Sequence, residues 1–480
     1  MHNIKIKGNK NMYNVAIIGA GVIGSSIFAK LTRKGIKAVL LEKGDDVSLG
    51  CSRANSGIVH AGFDAKPNTL KARFNVEGNK MMEKVCEELS IPFKKTGAFV
   101  VGDSEEQIDE LIKKGKLNGV SNLEKMDRTQ MLKYIPNLAE GITFGLYAKD
   151  SGIVSPYLLT IAMAEEGVIN GGEVRFNFEV VECTKDNEKM VLKSSKGETI
   201  ECQKVINCAG EGYNAVAKIL GTEEFSITFR RGEYFLLDST TYGLVDYTIF
   251  PLPTKAGKGI LISPTIDGNI IVGPTSYESG PSTETTMDGL NMIRNNVSKV
   301  ISNVPLNKAI REFSGVRVIS GDDFVVQKSQ KDERVIMLAG ICSPGLTSAP
   351  SIAKYVVEEL LGYTNEDVVK VKRKPYTVTR DMDRESLNNL IKQDSNYGKI
   401  VCKCESVTEG EILEAINSPL RPKSVDAIKR RVRAGMGRCQ GGFCFMRVIE
   451  LISQENGLEL EDICKENEGS NFIMGNIKEV

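Results

Sequence analysis

The chain has 480 residues, and 41% of them are hydrophobic, so we expect two or three globular domains. Its 62 lysine and arginine residues balance 62 aspartate and glutamate residues. This balance suggests neither nucleic-acid binding nor binding to an anionic membrane surface, and peripheral membrane contact stays open. Since no run of about 18 apolar residues occurs, no transmembrane segment is expected.

The N-terminus has a pattern that resembles a signal peptide. Three lysines, Lys5, Lys7 and Lys10, precede an apolar segment. Glycines interrupt that segment, and an amphipathic pattern follows it. We therefore expect a cytoplasmic protein in which residues 1–11 are a dispensable extension.

The first predicted element is a short apolar run, Val15–Ile18, which is typical of a buried parallel strand. Gly19, Gly21 and Gly24 follow it in G-x-G-x-x-G spacing. In dinucleotide-binding folds such glycines allow a tight turn, a close approach of backbone to a pyrophosphate, and close helix packing. The pattern predicts a strand, a phosphate-binding turn and a helix.

That helix is predicted over 22–34, with its N-terminal N–H groups directed at the phosphates. A second strand is predicted over 38–41, and Glu42 follows it, eighteen positions after Gly24. At this spacing a carboxylate accepts hydrogen bonds from an adenosine ribose. The combination predicts dinucleotide binding, and the alternative is a glycine-rich turn in an ordinary βαβ unit.

Further elements follow in the first half of the chain. A polar loop over 51–62 contains His60. Helices are predicted over 66–88, 104–116, 127–135 and 156–170, and strands over 97–101, 141–147, 173–177 and 179–183. The apolar segment 204–210 predicts a strand that ends in a turn at Gly210.

The pattern changes in the second half. From 225 to 319, short apolar segments alternate with Gly, Pro and Asp turns, which predicts an inserted antiparallel sheet. A buried strand is predicted over 334–340. Gly340 ends it, and the following helix, 348–361, would bring a second helix N-terminus to the cofactor.

Four cysteines form two close pairs, Cys402 with Cys404 and Cys439 with Cys444. Four thiolates can hold a [2Fe–2S] cluster or a zinc ion. The C-x-C and C-x₄-C spacings differ from the C-x₂-C pairs of zinc ribbons. Glycines 437, 441 and 442 leave backbone N–H groups free to bond cluster sulfur.

The other cysteines are scattered, and six of them are interpreted as small buried hydrophobes. These six are Cys51, Cys86, Cys183, Cys202, Cys208 and Cys342, while Cys464 stands alone near the end. An odd total without a secretion signal argues against a disulfide framework. The last sixteen residues are polar and are expected to be frayed.

The segments Val401-Cys-Lys-Cys-Glu and Gly437-Arg-Cys-Gln-Gly-Gly-Phe-Cys resemble the [2Fe–2S] domain of bacterioferritin-associated ferredoxin. The resemblance implies a cluster, with zinc and purely structural cysteines as alternatives. Between the pairs lie five basic residues, Lys423, Lys429, Arg430, Arg431 and Arg433. They form either a solvated face or a docking surface for an acidic electron-transfer partner.

The rest of the chain resembles the D-amino-acid-oxidase-type superfamily of FAD oxidoreductases. The glycine pattern, Asn207-Cys-Ala-Gly, Phe313-Ser-Gly-Val-Arg and Ser343-Pro-Gly-Leu-Thr-Ser-Ala-Pro carry this resemblance. Asn55-Ser-Gly-Ile-Val-His-Ala-Gly is similar to the L-2-hydroxyglutarate dehydrogenase branch. A ferredoxin-like tail on such a body resembles the anaerobic glycerol-3-phosphate dehydrogenase arrangement.

The resemblance implies an α/β fold with a Rossmann-like FAD-binding domain, an inserted antiparallel β-sheet substrate domain and a small C-terminal [2Fe–2S] domain. The oxidoreductase body would cover 12–380, followed by a linker over 381–398 and the cluster domain over 399–464. Within the body, the FAD-binding parts are expected at about 12–90, 150–222 and 330–380, and the substrate-binding parts at about 91–149 and 223–329.

The resemblance also implies which residues bind the cofactor, because they occupy the family's motif positions in this sequence. The residues implied for the ADP half, the pyrophosphate, the adenine and the flavin ring are Gly19, Gly21, Gly24, Glu42, Ser52, Arg53, Asn55, Ser56, Gly57, Val180, Gly210, Gly340, Gly345, Leu346 and Thr347. The implied cluster ligands are Cys402, Cys404, Cys439 and Cys444. His60 would face the substrate, and Arg317 would bind its anionic group.

His60 is one of two histidines, and an imidazole can accept a hydroxyl proton while hydride leaves the carbon. A structural role and covalent flavin attachment are its alternatives. Arg317 has the planar guanidinium that binds carboxylate or phosphate at two points. Arg230 and Arg231 are further candidates, and by strand alternation one of them is expected to face solvent. Lys71 and Tyr234 are also candidates.

The implied reaction is oxidation of a small anionic secondary alcohol, with sn-glycerol 3-phosphate and its product dihydroxyacetone phosphate as the first choice. Electrons would pass from FAD through the cluster to a redox partner protein or a quinone-linked acceptor, in an oligomer or multi-subunit complex. The alternatives are L-2-hydroxyglutarate or another hydroxy acid, an amine or amino acid, and a non-catalytic electron-relay subunit.

Overall fold

The computed structural model describes residues 12–253, 259–368 and 371–475. The extension predicted at 1–11 lies outside these residues. The helices are α1 (Val22–Arg33), α2 (Leu70–Glu88), α3 (Glu105–Leu117), α4 (Arg128–Met131), α5 (Pro156–Ile169), α6 (Tyr213–Ile219), α7 (Met287–Val297), α8 (Gly345–Lys354), α9 (Arg384–Gln393), α10 (Glu409–Ile416), α11 (Val425–Val432) and α12 (Phe445–Asn456).

The strands follow the chain from Tyr13 to Thr408. They are β1 (Tyr13–Ile18), β2 (Ala38–Leu41), β3 (Ile58–Val59), β4 (Phe93–Lys94), β5 (Ala98–Gly102), β6 (Leu123–Asp127), β7 (Phe144–Ala148), β8 (Gly152–Val154), β9 (Glu173–Arg175), β10 (Val180–Lys185), β11 (Met190–Ser194), β12 (Thr199–Asn207), β13 (Thr228–Leu237), β14 (Thr248–Pro251), β15 (Leu261–Pro264), β16 (Ile270–Gly273), β17 (Tyr277–Ser279), β18 (Ala309–Ile319), β19 (Val325–Lys328), β20 (Val335–Ala339), β21 (Ile400–Cys402) and β22 (Val407–Thr408).

The first large sheet is built on parallel strands in the order β9-β2-β1-β12-β20. The antiparallel strand β19 flanks β20, and the β10–β11 hairpin pairs with β12. The central strands are apolar and buried because helices α1, α5 and α8 and the hairpin cover them. This arrangement confirms the predicted Rossmann-like α/β domain.

The second large sheet has the order β17-β13-β16-β15-β14-β5-β7-β6, with β18 also paired along β13. Its pairings are antiparallel except for the parallel contact between β14 and β5. Strands β5–β7 and β13–β18 come from the two segments that the sequence assigned to the substrate domain, and one sheet joins them. The domain boundaries themselves stay a prediction.

Strand alternation in β13 sends its side chains to two different environments. Phe235 and Leu237 pack into an apolar core with Ile293 of α7, and Glu233 approaches Gly289 of the same helix. Tyr234 points the other way, towards the loop that follows β2. The face with Tyr234 is therefore available to form one wall of a cavity.

The cysteine module is a small helical unit with its own apolar core. It contains α10, α11, α12 and the β21–β22 hairpin. Helix α9 lies in the stretch that the sequence assigned to a linker, and the Asp383 side chain caps its first N–H groups. None of the described residues form a helix that is both long and apolar enough to cross a membrane.

Two predictions about local order are wrong. The helix predicted over 127–135 is limited to Arg128–Met131 because Pro136 disfavours a helical conformation for the residue before it. The C-terminal segment, expected to be frayed, is ordered as far as Asn471. Residues 464–471 form a loop closed by a β-bridge between Cys464 and Asn471.

Candidate functional site

A cavity of about 1510 Å³ lies between the two large sheets. It extends from Glu42, at the end of β2, to Arg317 in β18. Its volume exceeds the roughly 300–1,000 Å³ of drug-sized sites. The cavity is therefore large enough for a dinucleotide and a second, small molecule.

The glycine turn after β1 has the geometry that a phosphate-binding turn requires. Gly19 has φ +103, and a Cβ there would lie 2.5 Å from the carbonyl oxygen of Cys208. A Cβ on Gly24 would lie 2.0 Å from the oxygen of Gly19, so this glycine allows α1 to pack against the turn. Gly19 and Gly21 line the cavity, and the N-terminus of α1 faces it.

Glu42 and Ser52 fix the two sides of this turn. The buried Glu42 carboxylate accepts hydrogen bonds from the N–H groups of Ala20 at 2.9 Å and Gly44 at 3.0 Å. Burial raises the pKa of Glu42, and these N–H donors oppose that rise. Ser52 Oγ accepts a 2.9 Å hydrogen bond from the N–H of Val22, the first residue of α1.

The loop after Ser52 is held by its own polar groups. Asn55 Oδ1 accepts from the N–H of Gly57 at 2.9 Å, and its amide donates to the Cys51 and Ser52 carbonyls. Ser56 Oγ lies 3.1 Å from the Tyr234 hydroxyl of the second sheet. This loop therefore connects the two domains along the cavity wall.

His60 lies on the same wall, and its backbone is held from both sides. Its N–H donates to Thr347 Oγ1 at 3.0 Å, and its carbonyl accepts from Asn79 Nδ2 at 3.0 Å. Its ring centroid lies 5.6 Å from that of Phe250. Asn79 was missed by the sequence analysis because a polar residue inside a helix gives no local signal of such a contact.

Two arginines of the second sheet reach the cavity together. Arg230 and Arg317 are direct cross-strand partners on β13 and β18. Arg230 Nη2 donates to the Ser276 carbonyl at 3.0 Å, and Arg317 Nη1 lies 3.5 Å from Ser276 Oγ. Within the described ranges, neither guanidinium forms an ion pair. Lys71 also lines the cavity.

Arg231 points to the opposite face of β13 and is only 8% exposed. The expectation that one arginine of this pair faces solvent is therefore wrong: Arg230 faces the cavity, and Arg231 is buried near Tyr277. The sequence could show alternation but not that both faces of this strand are covered.

Most of the predicted binding residues line the cavity. They are Gly19, Gly21, Glu42, Ser52, Asn55, Ser56, His60, Val180, Gly210, Arg317, Gly340, Gly345 and Leu346. Gly24, Gly57 and Thr347 lie behind the wall and support it. Arg53, implied at the pyrophosphate, instead forms an ion pair with Glu466. The individual roles of all these residues stay predictions.

The scattered cysteines are not all buried as expected. Cys86 and Cys202 are buried, but Cys51 is exposed and Cys183 is partly exposed. Cys51, Cys208 and Cys342 line the cavity because they lie on its turns rather than inside strands or helices. The expectation is therefore correct for only two of the six.

The four cysteines of the C-terminal module lie close together as two pairs. The thiols of Cys402 and Cys444 are in hydrogen-bond contact, and so are those of Cys404 and Cys439. Hydrogen bonding from Cys444 and backbone N–H groups lowers the pKa of Cys402 to about 6. In the described part of the chain, no three His, Cys, Asp or Glu side chains surround a single ion position.

Backbone N–H groups point at the sulfur atoms of this module. Cys402 is reached by those of Gly435, Glu405 and Cys404, and Cys439 by those of Gly441 and Phe443. Gly441 has φ +92, and a Cβ there would lie 2.2 Å from the Phe445 ring. Two pairs of thiols that accept N–H hydrogen bonds are the donor set that a binuclear iron–sulfur cluster uses.

The basic residues between the cysteine pairs do not form a free docking surface. Arg431 binds Asp46 with both terminal nitrogens at 2.9 Å, and Arg430 donates to the same carboxylate at 3.0 Å. Arg433 Nη1 lies 2.7 Å from Asp267, and Lys429 lies 3.3 Å from Asp426.

Of these five basic residues only Lys423 is classed as exposed. Both interpretations offered for the group, a solvated face and a partner surface, are therefore wrong for the other four. The arginines instead attach the cysteine module to the two large sheets.

Comparison with known proteins accounts for both halves of the molecule. A family model described as FAD dependent oxidoreductase (DAO) matches residues 14–359. The chain belongs to this family. A second model, the BFD-like [2Fe-2S] binding domain, matches residues 400–454.

Individual relatives of this oxidoreductase agree with these matches. The glycerol 3-phosphate dehydrogenase of Caloramator mitchellensis is 41% identical over 97% of this chain and 99% of its own length. The L-2-hydroxyglutarate dehydrogenase of Escherichia coli (strain K12) is 32% identical over 55% of this chain and 64% of its own length.

A solved structure with the same fold contains the cofactor. The dithionite-reduced L-alpha-glycerophosphate oxidase of Mycoplasma pneumoniae, with FAD bound, has a TM-score of 0.72 and 27% identity. The match covers 76% of this chain and 100% of that one. The cofactors of this oxidoreductase are FAD and a [2Fe–2S] cluster, and the glycine turn, Glu42 and the four paired thiols fit them.

Proposed function

We propose that this oxidoreductase oxidises sn-glycerol 3-phosphate to dihydroxyacetone phosphate and passes the electrons through its iron–sulfur cluster to an external acceptor. The Caloramator mitchellensis relative, which aligns over nearly the whole of both chains, supports this substrate. The ferredoxin-like tail on an FAD oxidoreductase body, which resembles the anaerobic glycerol-3-phosphate dehydrogenase arrangement, supports the same substrate.

The observation that carries the proposal is the pair of arginines on the cavity wall. A phosphate monoester carries close to two negative charges at neutral pH. Arg230 and Arg317 are cross-strand neighbours, both open on the cavity, and neither is neutralised by a carboxylate of the described residues. Two adjacent guanidiniums match one dianionic group better than a single charge does.

The chain's own groups divide the work of the reaction. FAD, when bound, supplies the acceptor for the hydride. Arg230 and Arg317 bind the phosphate and so hold the secondary alcohol in one orientation. His60, on the same cavity wall and held by Thr347 and Asn79, accepts the hydroxyl proton. Phe250 packs beside the imidazole and limits its orientation.

The cysteine module has an open edge from which electrons can leave. Cys402 and Cys444 are buried, whereas Cys404 is exposed and Cys439 is partly exposed. Phe443, next to Cys444, is 88% exposed. We infer an external one-electron acceptor at this edge, either a redox protein or a quinone-linked component. Cytoplasmic location and a multi-subunit assembly belong to the same proposal.

An anaerobic absorbance experiment tests the reaction. Addition of sn-glycerol 3-phosphate to the purified protein is expected to bleach the flavin band, followed by reduction of the cluster. In a Cys439→Ser variant, bleaching is expected to persist while cluster absorbance is lost. A folded, FAD-loaded protein that is not bleached by glycerol 3-phosphate would contradict the proposed substrate.

L-2-hydroxyglutarate is the second candidate. The loop from Asn55 to Gly62 is similar to that branch, and the Escherichia coli relative is 32% identical. The same arginine pair could bind one carboxylate each of this dicarboxylic acid. Bleaching by L-2-hydroxyglutarate and not by glycerol 3-phosphate would select it. Failure of both, and of amino acids, would favour the electron-relay alternative.

A further inference from the structure

The C-terminal loop of the cysteine module reaches the cavity of the other domain. This loop, residues 464–471, is closed by hydrogen bonds from Lys465 N to the Ser470 carbonyl at 2.7 Å and from Ser470 N to the Asn467 carbonyl at 3.1 Å. Asn467 and Glu468, at its tip, line the cavity. They do so beside Glu42 and Val180, the residues implied for the adenosine of FAD.

The base of the loop is attached to the helix that docks the module. The N–H groups of Val425 and Asp426, at the start of α11, donate to the carbonyls of Cys464 and Lys465 at 3.2 and 2.8 Å. Lys465 Nζ also lies 2.9 Å from the Asp426 carboxylate. Any movement of α11 therefore moves the loop with it.

The side chain of Glu466 connects the loop to both domains. It forms an ion pair with Arg53, which directly follows Ser52 on the cavity wall. It also accepts a 2.8 Å hydrogen bond from Arg430, the residue that binds Asp46. The Glu466 carboxylate is 18% exposed, and these two arginines lower its pKa against the effect of burial.

The loop tip makes direct contacts at the end of β2. Asn467 Oδ1 accepts the N–H of Asp45 at 3.3 Å, and Glu468 forms a 2.8 Å ion pair with Lys196. A Cβ on Gly44 would lie 2.9 Å from Asn467 Oδ1, so the loop and the turn after Glu42 are in close contact. Asn467 is exposed, and within the described residues its Nδ2 group has no hydrogen-bond acceptor.

We propose that the 464–471 loop is part of the FAD-binding site and that Asn467 closes its adenosine end. The cysteine module then holds the flavin as well as carrying electrons away from it. Because binding couplings are reciprocal, FAD also stabilises the docked module. An oxidoreductase of this design that loses its cluster module also loses affinity for its flavin.

The first test measures how fast the purified holoprotein releases FAD, followed by the rise in flavin fluorescence after dilution. In an Asn467→Ala variant the release is expected to be about 2- to 13-fold faster, which corresponds to the loss of one hydrogen bond worth about 0.5–1.5 kcal/mol. Asn417→Ala is the matched control, because Asn417 is an exposed residue of the same module that does not line the cavity. Its release rate should equal that of the wild type.

The second test uses the reciprocal effect. The temperature at which cluster absorbance is lost is measured with and without saturating FAD. FAD should raise it in the wild-type protein and raise it less in Glu466→Gln, whose loop has weaker contacts with Arg53 and Arg430.

The proposal would be overturned if Asn467→Ala released FAD at the wild-type rate. It would also be overturned if FAD did not change the temperature at which cluster absorbance is lost. Neither measurement uses a substrate, so the outcome is independent of the proposed glycerol phosphate oxidation.

Discussion

The two arginines of the second large sheet that face the cavity and those of helix α11 differ in which groups neutralise their charges. Arg230 and Arg317 face the cavity, and the described residues give them hydrogen bonds to Ser276 but no carboxylate. Arg430 and Arg431 share the buried Asp46 carboxylate. The charge of the first pair is therefore available for the proposed ligand, whereas the charge of the second pair is used in contacts between the cysteine module and the rest of the protein.

This difference shows why a basic run in a sequence is ambiguous. Residues 429–433 are more strongly basic than the isolated Arg317, and yet their charges are satisfied inside the molecule. A buried charge is tolerated only when it is paired and hydrogen-bonded. Paired and unpaired arginines should therefore respond to mutation in different measurements, the former in stability and the latter in activity.

The largest expected effect is on stability, from Asp46→Asn. This change removes the carboxylate that the two guanidiniums share, so that Arg430 keeps only Glu466 and Arg431 keeps only Glu165, at 3.9 Å. Breaking a buried ion pair costs about 3–5 kcal/mol. We expect a lower denaturation midpoint for the cysteine module, measured from cluster absorbance in increasing urea, with the flavin domain less affected.

Asp45→Asn is the matched control for that change. Burial raises the pKa of Asp45 to about 6, in contrast to its neighbour, so loss of its charge should not destabilise the protein. Equal destabilisation by the two variants would show that the ion pairs of Asp46 are not what holds the module.

The next effect concerns activity. Arg317→Ala removes one of the two charges that we propose bind the substrate phosphate, and truncation of a charged partner at a binding site costs about 2–5 kcal/mol. We expect kcat/KM for sn-glycerol 3-phosphate to fall on the order of a hundredfold, with a smaller loss in Arg317→Lys. FAD and cluster absorbance should be unchanged.

Arg294→Ala serves as the control, because Arg294 lies on α7 outside the cavity and hydrogen-bonds to Asn291. If Arg317→Ala weakened the domain interface and left turnover intact, the division between ligand-binding and structural arginines would be wrong.

A third expectation is that the stability of the contact between Asp46 and the cysteine module depends on pH. Burial alone would raise the pKa of Asp46, but Arg431 and Arg430 outweigh it and hold the value at about 2, below the ordinary 3.8. Because its pKa is depressed, the ionised Asp46 carboxylate stabilises the folded state above about pH 4. This contribution is lost as the pH falls from about 4 towards 2. The shift corresponds to about 2.5 kcal/mol.

Thermal unfolding of wild type and Asp46→Asn should therefore converge as the pH approaches 2. Acid damage to the cluster affects both proteins, so the difference between them isolates the carboxylate. A difference that stayed constant between pH 5 and pH 2.5 would contradict the assignment.

What the sequence predicted well was local in the chain. Gly19, Gly21, Gly24 and Glu42 lie within one βαβ unit, so their spacing was enough to predict the turn and the strand that follows it. The fold class, both cofactors and the family followed from such local motifs.

Contacts between residues that are far apart in the chain could not be predicted from the sequence. Arg230 and Arg317 become neighbours through strand register, and Asp46 meets Arg430 across 384 positions of the chain. Arg53 fitted a family motif, but the structure pairs it with Glu466 in a segment expected to be frayed. A local pattern shows that a charge exists and cannot show which distant residue neutralises it.

The smallest effect on stability is expected at a second arginine–carboxylate contact, which is more exposed than that of Asp46. Arg438 binds Asp238 through two nitrogens at 3.0 and 3.1 Å, much as Arg431 binds Asp46, but its side chain is 70% exposed. Ion pairs with an exposed partner contribute little to stability and are screened by salt. Arg438→Gln should lower the urea midpoint of the cysteine module slightly at low salt and not at all in about 1 M salt. A loss as large as that of Asp46→Asn would mean that burial does not distinguish the two contacts, and the stability of the interface would then have to come from the geometry of arginine–carboxylate pairs alone.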